Sequence, residues 1–113
     1  MLTRYCLALD LKNDPQAIAE YDRYHQDVWP EVLKSIRDAG IINMEIYRYS
    51  NRLFMIMDVD ETFSFEQKAA ADLANEKVQE WEALMGRFQQ VLPGTDPNDK
   101  WRWKLMDKVF SLE

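Results

Sequence analysis

The chain predicts an α+β domain, a ferredoxin-like antiparallel sheet with helices on one face. Three observations carry that reading. Apolar runs of strand length open the chain, fill its middle and close it. Two of these runs flank a two-residue polar turn, Ser50-Asn51, which is a hairpin signal. Prolines preceded by extended or capping residues mark helix starts at Pro15 and Pro30. The order β-α-(α)-β-β-α-β follows, the split β-α-β arrangement. With 113 residues, positions 1–113 make a single domain.

Residues 2–10 read as a strand with Leu7 and Leu9 on one face and Cys6 and Ala8 on the other. Apolar side chains on both faces predict a covered, central strand. Asn13-Asp14-Pro15 starts a helix, supplying a side-chain oxygen as cap and proline as first residue. This helix carries Ile18, Tyr21 and His25 on one side. Pro30 lacks an amide donor and drives Trp29 out of helical geometry, so two helices are expected, over 15–25 and 30–39. Gly40 ends the second. Strands follow at 41–49 and 52–60, and Ser64-x-x-Gln67 is a capping box for a short helix to residue 73. A longer helix over 75–91 aligns Val78, Trp81, Leu84, Met85 and Phe88 on one stripe. An irregular loop over 93–100 leads to a last strand over 101–112, in which Trp101 and Trp103 serve core or interface.

Helices on one face leave the other sheet face bare. Methionines and tyrosines in the hairpin keep that face from being purely polar, so a second copy, sheet to sheet, is expected: a homodimer. The charge balance, 20 acids against 14 bases, gives −6 and argues against nucleic acid or an anionic membrane as partner. Three glycines form no phosphate-cradling loop. One cysteine and one histidine cannot build a structural zinc site, and no HExxH, DxD or EF-hand pattern occurs. No metal and no cofactor are therefore expected. Cys6, in an apolar run, reads as a buried thiol. The start at Met1 shows no charged region ahead of an apolar block, from which a cytoplasmic location is expected.

The chemistry concentrates between Tyr21 and Glu31. The single histidine, His25, stands four residues from Tyr21 and four from Trp29. On a helix that spacing lines a hydroxyl, an imidazole and an indole along one stripe. Imidazole alone titrates near neutral pH, so His25 is the candidate general acid. The helix end before Pro30 should favour its protonated form. A surface or capping histidine is the plainer reading of the same residue. Tyr21 could orient the imidazole or donate to a ligand oxygen, or simply pack with its hydroxyl at the rim. Trp29 could stack on a sugar ring or fill the core beside the kink, and Trp81 sits where packing is the default. Together these residues point to acid–base chemistry on a neutral polyhydroxylated ligand.

The string Tyr21-x-x-x-His25-x-x-x-Trp29-Pro30-Glu31, with Ile46-Tyr47, Asn51-x-Leu53-Phe54, Trp81 and Val109-Phe110, resembles the L-rhamnose mutarotase family over nearly the whole chain. Asn43-Met44-Glu45-Ile46-Tyr47 and the run from Asn51 to Met57 look most like its L-fucose-directed branch. The resemblance implies a dimeric α+β barrel that interconverts the anomers of a 6-deoxy-L-hexose. It also implies His25 as proton donor, Tyr21 as a sugar-binding tyrosine and Trp81 as the first of a tandem pair holding the sugar. Two positions depart from the rhamnose-type pattern. Met44 stands for a sugar-contacting tyrosine, and Glu82 for the second tryptophan. Both re-cut the pocket, which inclines the expectation toward L-fucose, because a misplaced buried hydrogen bond rejects a substrate strongly. Glu82 is also a candidate base. Two other readings stay open on the sequence: a cofactor-free monooxygenase or haem-handling protein of the same barrel architecture, and a non-catalytic sugar-binding domain.

Overall fold

The computed structural model describes residues 2–96, 98 and 102–112. Its elements are β1 (Thr3–Leu11), α1 (Pro15–Tyr24), α2 (Pro30–Asp38), β2 (Ile41–Tyr49), β3 (Arg52–Val59), α3 (Phe65–Leu73), α4 (Glu76–Gly86), β4 (Gln89–Gln90) and β5 (Lys104–Leu105). The strands form one antiparallel sheet in the order β2-β3-β1-β4, with β5 also on β1. This is the α+β, ferredoxin-like architecture that the sequence predicts.

Local chemistry sets the helix starts. Asp14 accepts from the Gln16 amide at 3.2 Å ahead of α1, and Asn75 accepts from the Lys77 and Val78 amides at 3.1 and 3.2 Å ahead of α4. Ser64 caps α3 through the Gln67 amide at 3.4 Å. Pro30 is the first residue of α2, with Trp29 extended before it at ψ 138°. Gly40 ends α2 at φ +94°, where a Cβ would stand 2.6 Å from both Asp60 Oδ1 and Thr62 Oγ1.

Along β1, Leu7, Leu9 and Leu11 face the helices. Leu9, Leu11 and Leu53 are fully buried against Ala17, Tyr21, Val32, Trp81, Met85 and Phe88. Each such side chain contributes roughly 2 kcal/mol of transfer free energy. Register places Met44 and Ile46 of β2 opposite Met57 and Met55 of β3. Met44, Ile46 and Arg48, with Met55 and Met57, therefore share the helix-side face, so the hairpin methionines expected on the bare face pack under the helices instead. The opposite face carries Cys6, Ala8, Phe54, Ile56 and Tyr47. Cys6 is half-buried there rather than buried, because no helix lies over it.

Two expected elements differ. The helix expected over 75–91 stops at Gly86, and Gln89 and Gln90 instead pair with Leu11 and Asp10 on the free edge of β1. Phe88 keeps its place on the apolar stripe because the turn after Gly86 still leaves it on the core side, buried. The strand expected over 101–112 reduces to Lys104–Leu105, opposite Ala8 and Leu7, with one further bond from the Met106 amide to the Cys6 carbonyl at 2.8 Å. Leu105 to Leu112 are exposed and bury too little apolar surface to order a longer strand. Trp103 packs at the edge of the core. Trp101, the expected start of that strand, lies outside the described residues, as do Met1 and Lys100.

Candidate active site

His25 is the residue at which α1 stops. Its Nδ1 lies 2.9 Å from the Tyr21 carbonyl oxygen. A carbonyl only accepts, so Nδ1 carries the hydrogen and Nε2 is the nitrogen left for a ligand. The imidazole stacks on the Tyr21 ring at 4.2 Å between centroids and 30° between planes. Trp81 meets it edge-on at 5.4 Å, and Trp29 meets Trp81 edge-on at 5.2 Å. Tyr21, His25, Trp81 and Trp29 thus form one continuous aromatic cluster, but only Tyr21 and His25 meet through their helical spacing: α1 has ended before Trp29, which joins the others through Trp81 of α4.

Beside His25 opens a groove of about 410 Å³. Val28 flanks the imidazole, Leu33, Ile36 and Arg37 of α2 form one wall, and Met44 and Ile46 of β2 form the other. His25 and Met44 are the two sequence-singled residues that line it. Tyr21, 3% exposed, and Trp81, 7% exposed, stand behind the imidazole instead. Trp29 is half-buried at the start of α2. Glu82 is not brought to this set. Its carboxylate accepts from Gln79 Nε2 at 3.4 Å and feels Asp72 and Lys68 of α3. Although Glu82 is exposed as a residue, its carboxyl leans on α3, and that desolvation, with Asp72, pushes its pKa up.

Burial holds the His25 imidazole below its usual 6.5, against the opposing pull of the Tyr21 carbonyl and Asp22. The helix-end carbonyl does favour the imidazolium, as the dipole argument expects, but burial outweighs it. The Tyr21 phenol is driven far above its usual range, first by burial, with the Gln89 side chain opposing. Its hydroxyl stays protonated and can donate, not shuttle. The residues that sequence reasoning passed over are the apolar wall of α2, Arg37, and a contact between Asp22 and Arg48 at 2.7 Å. Alternation along β2, which puts Arg48 on the face of Met44, was the available signal for the last of these.

Residues 4–112 match the model of the L-rhamnose mutarotase family. The L-fucose mutarotase of Xanthomonas campestris pv. campestris is 48% identical over 113 residues, spanning 98% of this chain and 89% of that protein. Among solved structures, the L-rhamnose mutarotase of Formosa agariphila superposes with a TM-score of 0.69 at 23% identity, covering 98% and 99% of the two chains. A dimeric ferredoxin-like protein from an uncultured marine organism reaches 0.54 at 13%, covering 97% and 91%; at such identities these two structures speak for the fold. Fold and family together define a sugar mutarotase, an isomerase that exchanges anomers. The chain belongs to the L-rhamnose mutarotase family. Membership favours that activity over the haem-handling, monooxygenase and non-catalytic readings.

Proposed function

We propose that this chain interconverts the α and β anomers of a 6-deoxy-L-hexose, L-fucose before L-rhamnose, with His25 as the proton carrier. The observation that carries this is an imidazole pinned through Nδ1 to the Tyr21 carbonyl at the edge of a sugar-sized groove, with Nε2 holding no partner among the described residues. Resting neutral, Nε2 takes the proton of the anomeric hydroxyl. The bond from C1 to the ring oxygen then breaks, its electron pair stays on that oxygen, and C1 becomes the aldehyde carbon. The imidazolium, now the general acid, returns its proton to the ring oxygen. Rotation about C1–C2 presents the other carbonyl face, and the same steps in reverse close the ring. A positioned acid–base group gives roughly 10²–10⁴-fold.

In this reading Tyr21 orients the imidazole through its ring and carbonyl, and Trp81 and Trp29 brace it from behind. Glu82 faces α3, so we assign the basic role to His25 itself. Two things support L-fucose: the 48% identical relative named for it, and Met44, whose thioether offers no hydroxyl to the groove. We propose further that two copies close sheet to sheet into a dimeric α+β barrel, and that the reaction runs in the cytoplasm, where a free Cys6 stays reduced. Exchange NMR of anomer interconversion with L-fucose, L-rhamnose and D-galactose tests the assignment. Acceleration should be greatest for L-fucose and fall about 10²-fold or more in His25→Gln. Equal rates in the variant would end the role given to His25.

A further inference from the structure

We propose that Asp22 and Arg48 are a positioning pair that holds the His25 end of α1 against the β2–β3 hairpin. Nε and Nη2 of Arg48 donate to the two Asp22 carboxylate oxygens at 3.1 and 2.7 Å, and Nη1 donates to the Ser50 carbonyl at 2.9 Å. All three guanidinium nitrogens are engaged. Ser50, at φ +53°, is the turn residue of the hairpin. A single exposed ion pair usually contributes little because each side chain keeps its freedom. Here the planar fork is fixed at both ends, one on α1 and one on a strained turn.

Placement ties this pair to the site. Asp22 lies three residues before His25, on a neighbouring stripe of α1. Arg48 shares its strand face with Met44 and Ile46, which line the groove. The pair therefore couples the element that carries the imidazole to the strand that forms the opposite wall. Of the charged groups, Asp22 acts on His25 from its own helix and Arg37 of α2 lines the same groove, Arg48 of β2 is reached through Asp22, and α4 presents the uncharged Trp81. Glu20 and Arg23 are occupied with each other at 3.7 Å. Asp22 favours the imidazolium, and the guanidinium it is paired with carries the opposite charge.

The inference rests on His25 carrying the proton, but its first readout does not. With one histidine in the chain, the imidazole C2 proton reports its titration without ambiguity. In Arg48→Met the unpaired carboxylate should raise the midpoint by about half a pH unit, and in Asp22→Asn its loss should lower it by about as much. Arg48→Lys keeps the charge without the fork. It should return the midpoint near its starting value yet still slow L-fucose exchange at saturating sugar, about tenfold as in Arg48→Met. Opposite midpoint shifts with lowered turnover support the pair. An unmoved midpoint in both Asp22→Asn and Arg48→Met, or full turnover in folded Arg48→Lys, would overturn it. Should Arg48→Met fail to fold, the near-isosteric Asp22→Asn decides alone. A wild-type chain that accelerates no exchange would sink the mutarotase reading, while the titration shifts would still judge the ion pair.

Discussion

His25 is pulled two ways. The carbonyl of Tyr21 and the carboxylate of Asp22 favour the imidazolium, whereas burial among aromatic rings favours the neutral form, and burial is the larger effect. A neutral resting imidazole makes the first step of mutarotation a proton abstraction. The rate of L-fucose exchange should therefore rise with pH through a midpoint below 6.5 and be flat by about pH 7.5. Exchange NMR across pH 5 to 8 measures this, and a rate that fell as pH rose would contradict the order of steps. The same depression links to stability. Between the folded midpoint and 6.5 the unfolded chain binds more protons, so stability rises with pH through that window. The penalty is complete below the folded midpoint and absent above 6.5. Tyr21, by contrast, is too deeply buried to ionise in any useful range, which restricts it to orienting and donating.

At the scale of elements, punctuation residues carried more of the fold than periodicity did. Pro15, Pro30, Gly40 and Ser50-Asn51 place four boundaries to within a residue, since each acts through a backbone dihedral or a missing amide that tertiary context cannot change. The stripe through Phe88 misled because a side chain can keep facing the core after its helix has ended. Two-residue strands such as β4 and β5 have no pattern of their own; they exist because β1 has an edge to fill. At the site, the helical spacing of Tyr21 and His25 was legible, whereas Trp29 reaches the cluster only through Trp81, and the α2 wall and Asp22–Arg48 depend on how α1 and α2 pack across β2. Gly40 offers a check on the punctuation argument. Alanine there meets both a positive φ and two oxygens at 2.6 Å, so Gly40→Ala should cost roughly 2 kcal/mol or more. Urea denaturation reads this directly. Unchanged stability would mean the loop from Asp60 to Thr62 moves freely.

The whole molecule presents one sheet face that its helices leave bare. On it, the half-buried Cys6, Phe54 and Ile56 make an apolar strip across β1 and β3 around the buried Ala8, with the exposed Tyr47 beyond on β2. Arg4–Asp58 closes one end of the strip and Asp10–Arg52 the other, at 2.9 and 2.8 Å. Each end is internally neutralised, and the order of signs reverses between them. Such a strip attracts neither polyanion nor lipid headgroup, and it suits an isologous partner. The exposed tail, with Val109 at 93% and Phe110 at 75%, adds apolar surface that a lone chain leaves in water. A dimer joined through this face is expected, and sedimentation should report roughly twice 13.5 kDa at micromolar concentration. Ile56→Lys places a charge at the middle of the strip while touching neither the groove nor the helix-side core, so it should shift the chain toward monomer. If two copies also steady the groove, L-fucose exchange should become concentration-dependent in that variant. A wild-type chain that sediments at 13.5 kDa throughout would rule out the dimer.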